Sequence, residues 1–237
     1  MTAHPARRHV HLFLLPLLLA LAPAQASTCY GRVGAGSIDG AVALPAAGPN
    51  FEAYSRLGVQ LGRTHVHARV RDVLLDAYAA LARGAPGKRF VYGETGLENG
   101  GRMRPHRTHQ NGLSVDFMVP VVDGKGTSVP LPSSPLNKFG YGLEFDARGR
   151  AGELRIDFEA LAAHLVQLRE AARRNDVGIA LVILDRPLMA ELMKTSQGKK
   201  LHGLPFMKGK PWIRHDEHYH VDFALPCKPG RAQARAG

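Results

Sequence analysis

Histidine is concentrated in two short windows of the 237-residue chain, and this clustering is the clearest chemical signal in the sequence. The residues concerned are His106, His109, His215, His218 and His220. Imidazole is a common metal ligand in proteins, and its charge changes closer to neutral pH than that of other side chains. Both windows are therefore candidates for metal binding or for proton transfer.

The second window carries two histidines on one predicted strand. His218 and His220 are two residues apart, and on a β-strand this spacing points both imidazoles to the same face of the sheet. Tyr219 and Val221 would then point into the core. Two imidazoles on one face can bind one ion, or one can bind the ion while the other handles protons.

The first window adds a carboxylate at a distance of seven residues. On a flat strand His109 and Asp116 would face opposite ways, but Asn111-Gly112 between them is typical of a turn, which lets both side chains converge. His109, Asp116 and one of the two strand histidines would supply two nitrogens and one carboxylate. That set is typical of catalytic zinc, with a fourth position left for a water whose pKa the ion lowers toward 7.

The rest of the sequence predicts one α+β domain over residues 27–237, with a mainly antiparallel central sheet flanked by helices and long loops. Strands and helices do not alternate regularly, which disfavours a parallel α/β sheet. Helices are predicted over 65–83, 157–174 and 187–194, and strands over 89–92, 114–121, 179–184 and 218–225. The predicted irregular segments are an arm at 30–50, a loop at 94–105, a surface excursion at 122–140, a hairpin at 141–156 turning near Arg148-Gly149, and a basic loop at 199–210.

Residues 1–26 have the layout of a secretory signal peptide. Arg7 and Arg8 precede an apolar run over 12–22, and small residues lead from there to Ala26. We predict cleavage after Ala26 and export to the periplasm. The apolar run is too short to span a bilayer as a helix. Cleavage would remove this run, and no stable membrane insertion is expected afterwards.

Only two cysteines occur, which excludes a disulfide-dense scaffold and a four-cysteine zinc module. Cys29 and Cys227 lie near the two ends of the predicted mature chain. In an oxidising exported compartment they can pair, and the bond would close almost the whole chain. Two free thiols are the alternative.

The chain is basic, with a formal charge of +11. The predicted cleavage removes two arginines and no acidic residue, which leaves a charge of +9. This balance favours a polyanionic partner, since long-range attraction raises encounter rates. Export and the lack of a basic helix with interleaved aromatic residues argue against nucleic acid as that partner.

Taken together, the two windows resemble the motifs of the LAS zinc metallopeptidases, which share His-x6-Asp followed far downstream by His-x-His. The pattern in this chain is His109…Asp116 and His218-Tyr219-His220. Within that group the resemblance is strongest to the penicillin-insensitive murein endopeptidase family. Residues 100–116 are similar to that family's GG…HxSHQxGLDxD segment, and residues 212–221 are similar to its WxxHDxHFHV segment.

The resemblance implies a LAS-type metallopeptidase with zinc bound by His109, Asp116 and His220. Members of the family can hold a second metal through a residue in the position of His106 and an Asp/His pair further on. This chain has no histidine between His109 and His164, so we expect one zinc ion per chain.

The resemblance also implies a reaction, the hydrolysis of D-alanyl-diaminopimelate cross-links in peptidoglycan. His218 would be the general base that takes a proton from the zinc-bound water. His215 and His106 would line the site and assist proton transfer or carbonyl polarisation, and Trp212 would pack against the substrate.

Three other functions stay open at this point. A D,D-carboxypeptidase or dipeptidase of the same group usually has an acidic residue where His218 stands. A serine penicillin-binding enzyme is suggested only by Ser196-Gln-Gly-Lys199, a formal S-x-x-K match without its partner motifs. An exported zinc-binding wall protein without catalytic activity would keep the metal ligands but show no turnover.

Overall fold

A computed structural model of the chain describes residues 26–230 together with Met1. Residues 2–25 of the predicted signal peptide lie outside this part, so cleavage after Ala26 stays a prediction. Within residues 26–230, no helix is long and apolar enough to cross a bilayer.

Short strands and four α-helices make up the regular structure of the described residues. The strands are β1 Thr28–Arg32, β2 Ala35–Asp39, β3 Val42–Ala43, β4 Phe51–Ala53, β5 His65–Val66, β6 Phe90–Tyr92, β7 Ser114–Met118, β8 Val121–Val122, β9 Ser128–Val129, β10 Arg150–Ala151, β11 Leu154–Ile156, β12 Gly178–Ile183 and β13 His218–Ala224. The helices are α1 Arg56–Gln60, α2 Ala68–Gly84, α3 Phe158–Arg174 and α4 Arg186–Met193, with 3₁₀ turns at Pro135–Gly140 and Gly198–Leu201.

A five-stranded sheet forms the centre of the fold, in the order β12-β13-β7-β6-β4. Adjacent strands of this sheet are antiparallel, except that the edge strand β4 pairs with β6 in parallel. The predicted α+β class with a mainly antiparallel central sheet is therefore confirmed. The last strand among the described residues, β13, lies inside the sheet between β12 and β7, so both its neighbours fix its register.

Helices α2 and α3 pack against each other and contact the central sheet through aromatic side chains. Tyr78 of α2 stacks on Phe51 of β4 with ring centroids 4.4 Å apart. The His164 ring of α3 lies 4.9 Å from Phe117 of β7, and Phe117 stacks on Tyr219 of β13 at 5.3 Å. Tyr219 thus faces the helices as predicted, and the alternation of a strand leaves the opposite face of β13 to its histidines.

The helix predictions hold with small changes at their ends. Helix α3 begins after Asp157, whose carboxylate accepts a hydrogen bond from the Ala160 amide at 3.0 Å. Helix α2 begins at Ala68 and not at residue 65, because His65–Val66 forms a strand paired with β3.

Two loop predictions are wrong. Residues 30–50 are not an irregular arm, because β1 and β2 form an antiparallel hairpin and β3 pairs with β5. The hairpin within 141–156 turns at Gly152 and not at Arg148-Gly149, since Arg150 pairs with Arg155 and Ala151 pairs with Leu154. In both cases turn residues occur at several neighbouring positions, and the local sequence does not decide which of them closes the ladder.

Cys29 and Cys227 form a disulfide with a sequence separation of 198 residues. Replacing both residues by serine should lower the free energy of unfolding by up to about 5 kcal/mol, because the unfolded chain without this cross-link has a higher conformational entropy. Denaturant unfolding of the variant measures this loss. Wild-type protein unfolded in reductant serves as the control and should match the variant, whereas equal stability of the oxidised wild type and the variant would contradict the prediction.

His164 is fully buried among aromatic rings and hydrogen-bonded to Tyr219, and burial lowers its pKa to about 3. Between pH 6.5 and 3, His164 is protonated in the unfolded chain but stays neutral in the folded protein. This residue therefore makes the fold less stable as the pH falls. The wild type should lose about 2 kcal/mol more than His164→Gln between pH 7 and pH 5. Urea unfolding at the two pH values measures the difference, and equal pH dependence would contradict a neutral buried imidazole.

Candidate metal centre

The pairing of β13 with β7 brings the two histidine windows together. In this register His220 lies directly opposite Asp116, and Asp222 lies opposite Ser114. Side chains opposite each other on one face of a sheet have Cβ atoms only about 5 Å apart. Groups that are 104 residues apart in the sequence therefore share one small buried volume.

The Asp116 carboxylate lies at the middle of this cluster and is buried. Its Oδ1 is 2.8 Å from His220 Nδ1 and 3.3 Å from His109 Nε2. Its Oδ2 accepts a hydrogen bond from Tyr141 Oη at 3.1 Å and lies 3.7 Å from His106 Nδ1. Burial alone would raise the pKa of Asp116, but the surrounding imidazoles outweigh it and hold this pKa well below its usual range. Asp116 is therefore a carboxylate at neutral pH.

His109 is held in a conformation that aims one ring nitrogen at this carboxylate. Its φ of 66° lies in the left-handed region, which few residues other than glycine adopt. The His109 amide donates to Ser114 Oγ at 3.2 Å, and ring Nδ1 donates to the Thr95 carbonyl at 3.0 Å. Nε2 then carries a lone pair, and burial lowers the pKa of the ring and keeps it neutral.

The lone pair of His109 Nε2 makes no hydrogen bond to any described residue, although it is buried. It faces Asp116 Oδ1 at 3.3 Å, so two electron-rich atoms point at one spot. Buried polar atoms of native proteins are nearly always satisfied, and an exception needs an explanation. A cation between these two atoms would supply it.

His220 is oriented by a second carboxylate behind it. Its Nε2 lies 2.8 Å from Asp222 Oδ1, which also accepts a hydrogen bond from Ser114 Oγ at 2.6 Å. Burial would lower the pKa of His220, but Asp116 and Asp222 outweigh it and raise this pKa to about 10. Without an ion, a proton thus occupies the space between His220 Nδ1 and Asp116. Because Asp222 keeps the other proton on Nε2, Nδ1 is the nitrogen that can bind a metal.

Two of these atoms have the separation that a divalent ion requires. Tetrahedral zinc with bonds of about 2.0–2.1 Å separates its ligand atoms by about 3.3 Å, and His109 Nε2 and Asp116 Oδ1 have this separation. Among the described residues, the group of three whose ligand atoms lie within 4.8 Å of one another is His106, His109 and Asp116. His220 lies outside this group and contacts it through Asp116 Oδ1 at the hydrogen-bond distance of 2.8 Å. His106 and His220 are therefore the two candidates for the third ligand.

A cleft of about 560 Å³ opens beside this cluster, and His106, Tyr141 and His218 are among its lining residues. His218 Nδ1 lies 2.8 Å from Glu217 Oε1, and the His215 ring lies 4.5 Å from the His218 ring. Burial opposes protonation of both rings. Asp116 and Glu217 outweigh it at His218 and raise the pKa of that ring, whereas burial and the charge of His218 lower the pKa of His215 to about 4.

Trp212 lies at the rim of the cleft. Its side chain is 39% exposed, and its ring meets His215 edge-on at 5.9 Å. The neighbouring Ile213 is 51% exposed and lines the cleft itself. All residues predicted for the metal site, for proton transfer and for substrate contact therefore lie in or beside one cluster.

Glu94 is a cleft residue that no motif in the sequence signals. One of its carboxylate oxygens accepts a hydrogen bond from Tyr54 Oη at 2.9 Å and pairs with Arg63, and the other contacts His106 Nε2. Burial would raise the pKa of Glu94, but His106 and Arg63 outweigh it and lower this pKa to about 2. The one available hint was its place just after strand β6. Asp222 could have been found by continuing the two-residue period of His218 and His220.

The similarity of this chain to known proteins agrees with this geometry. A family model described as penicillin-insensitive murein endopeptidase matches residues 29–236, which include both histidine windows and every strand of the central sheet. A protein of that name from Haemophilus influenzae is 25% identical over 205 residues, which cover 85% of this chain and 65% of the relative. The matched region thus spans just under two thirds of that relative's length. Both findings confirm the resemblance seen in the two motifs, and the chain belongs to the penicillin-insensitive murein endopeptidase family.

Proposed function

We propose that this chain is a zinc metalloendopeptidase that hydrolyses D-alanyl-diaminopimelate cross-links of peptidoglycan in the periplasm. One observation carries the proposal: His109 Nε2 and His220 Nδ1 converge on Asp116 Oδ1 beside an open cleft lined by His218. Membership of a murein endopeptidase family supports peptidoglycan as the substrate. The disulfide supports an exported, oxidising location.

We propose His220 as the third ligand, with His109 and Asp116. All three side chains are buried, and Asp222 prepares His220 by holding the proton on the far nitrogen. His106 stands in the cleft wall with its Nε2 against Glu94. This position supports a role beside the ion, in orienting the substrate carbonyl or in proton transfer.

The arrangement supports hydrolysis by a general base. A zinc ion held by these residues would lower the pKa of a water and polarise the substrate carbonyl. His218 would accept the proton of the attacking water and deliver it to the leaving amine. Glu217 orients the His218 ring through Nδ1, which leaves Nε2 to accept the proton. The His215 ring beside it is neutral and therefore does not oppose protonation of His218.

The cleft supports catalysis over a purely structural metal site. Structural zinc sites are closed by four protein ligands, whereas catalytic sites have three and an open position. The serine alternative has little support, because Ser196 Oγ donates to Glu159 on the surface at 2.7 Å and Ser196 does not line the cleft. Activity should therefore be insensitive to penicillin.

The two candidate ligand sets can be separated by zinc affinity. His220→Ala removes a donor of the proposed set and should weaken zinc binding more than about 100-fold, since even the loss of outer-shell partners weakens binding 10–100-fold. His106→Ala should change the affinity less than about 10-fold. Competition titration with a chromogenic chelator measures both. A larger loss in His106→Ala than in His220→Ala would make His106 the third ligand.

Purified cross-linked muropeptide dimers test the activity. The wild type with zinc should convert dimers to monomers, chelation should stop the reaction, and penicillin should leave it unchanged. His218→Gln should lower kcat/KM about 10²–10⁴-fold while it keeps zinc affinity, because only the proton acceptor is lost. His202→Gln, a change of an exposed histidine outside the cleft, is the matched control. Undiminished turnover by His218→Gln would show that His218 is not the general base. If the zinc-loaded wild type does not convert dimers to monomers, the proposed activity is wrong.

A further inference from the structure

Three arginines line a second concave surface next to the cleft. Arg102, Arg104 and Arg107 are exposed, and together with Pro105, His106 and Gln110 they surround a volume of about 710 Å³. Gly34 and Ala35, at the turn of the β1–β2 hairpin, also line it. We call this surface the arginine groove.

The arginine groove has no acidic residue to neutralise it. Its lining residues include no aspartate or glutamate, and within residues 26–230 none of its three guanidinium groups makes an ion pair. The arginines of the cleft differ, because Arg63 pairs with Glu94 and Arg214 pairs with Glu144 and Asp216. Lys138 is the one cleft cation without an ion pair among the described residues, so three of the four unpaired cationic side chains that line the two surfaces lie in the groove.

The groove and the cleft are neighbours. Pro105 and His106 line both, so the two surfaces meet at these residues. Two contacts hold residues 102–107 in place. The Arg104 carbonyl accepts a hydrogen bond from Arg63 Nη2 at 3.0 Å, and Arg63 lines the cleft. The Arg107 guanidinium lies 5.7 Å from the centre of the Trp212 ring.

We propose that the arginine groove binds the free carboxylates of the peptide strand that flanks the scissile bond, and so selects substrates whose carboxylates are not amidated. The proposal rests on the proposed function. A guanidinium group presents two parallel N–H donors that match a carboxylate, which makes an unpaired arginine a specific receptor for that group. The stem peptides of peptidoglycan offer such groups as the carboxylates of glutamyl and diaminopimelyl residues, and amidation removes their charge.

The test compares two cross-linked muropeptide dimers that differ only in whether these carboxylates are free or amidated. We expect the wild type to cleave the free form with a kcat/KM about 10-fold above the amidated form, mainly through KM. The double variant Arg102→Gln with Arg104→Gln leaves the contact of Arg107 with Trp212 intact. It should lose about 10-fold on the free form and little on the amidated form, so that the preference disappears.

A charge-matched control separates local binding from the long-range attraction of a basic protein. Arg83→Gln with Arg148→Gln removes the same charge from exposed positions outside both surfaces and should keep the preference within about 2-fold. Arg102→Lys with Arg104→Lys keeps the charge without the planar fork and should recover only part of the preference.

The outcomes distinguish failure of the groove from failure of the proposed function. Three results would each overturn carboxylate binding by the arginine groove. The first is equal cleavage of both forms by the wild type, and the second is an equal loss of kcat/KM on both forms in the glutamine variant. The third is an equal loss of preference in the charge control. A wild type that cleaves neither form would overturn the proposed function and this inference with it. Zinc affinity of the glutamine variant should match the wild type, because neither arginine touches the metal centre.

Discussion

The register between β7 and β13 is the constraint on which the site depends. It sets His220 opposite Asp116 and Asp222 opposite Ser114, so the proposed ligands and the groups that orient them come from two strands that are remote in sequence. A slip of one residue would exchange the two faces of β13, turning Tyr219 toward the carboxylate and the imidazoles toward the helices. The aromatic layer prevents this, because Tyr219 is buried against Phe117 and hydrogen-bonded to His164.

Ser114 connects the parts of the cluster that the register brings together. Its hydroxyl accepts from the His109 amide and donates to Asp222, which in turn holds His220. One side chain thus links the loop that carries His109 to the strand that carries His220. Buried networks of this kind stabilise a structure only when their members are satisfied. The exception here, His109 Nε2, is the atom that an ion would satisfy.

The sequence predicted the parts of this site that depend on local geometry. The two-residue period of a strand placed His218 and His220 on one face. The residue types of Asn111-Gly112 predicted a turn, and Gly112 has a φ of 75°. The sequence could not predict the strand register or the neighbours supplied by distant loops. Tyr141 reaches Asp116 from a loop beyond the sheet, and no spacing in the chain encodes that contact. The hairpin at 28–39 was missed for a similar reason, because its strands are short and glycine-rich and hydrophobic alternation is weak in them.

That hairpin lies at the periphery of the fold, but it supports the loops that carry the site residues. The Val33 carbonyl at its turn accepts a hydrogen bond from the Gln110 amide, one residue from His109. On its second strand the Ile38 amide donates to the Asn99 carbonyl, at the start of the loop that carries the arginines. The disulfide between Cys29 and Cys227 fixes the same hairpin to the segment that directly follows β13. One covalent bond thus connects the support of the first histidine window to the strand of the second.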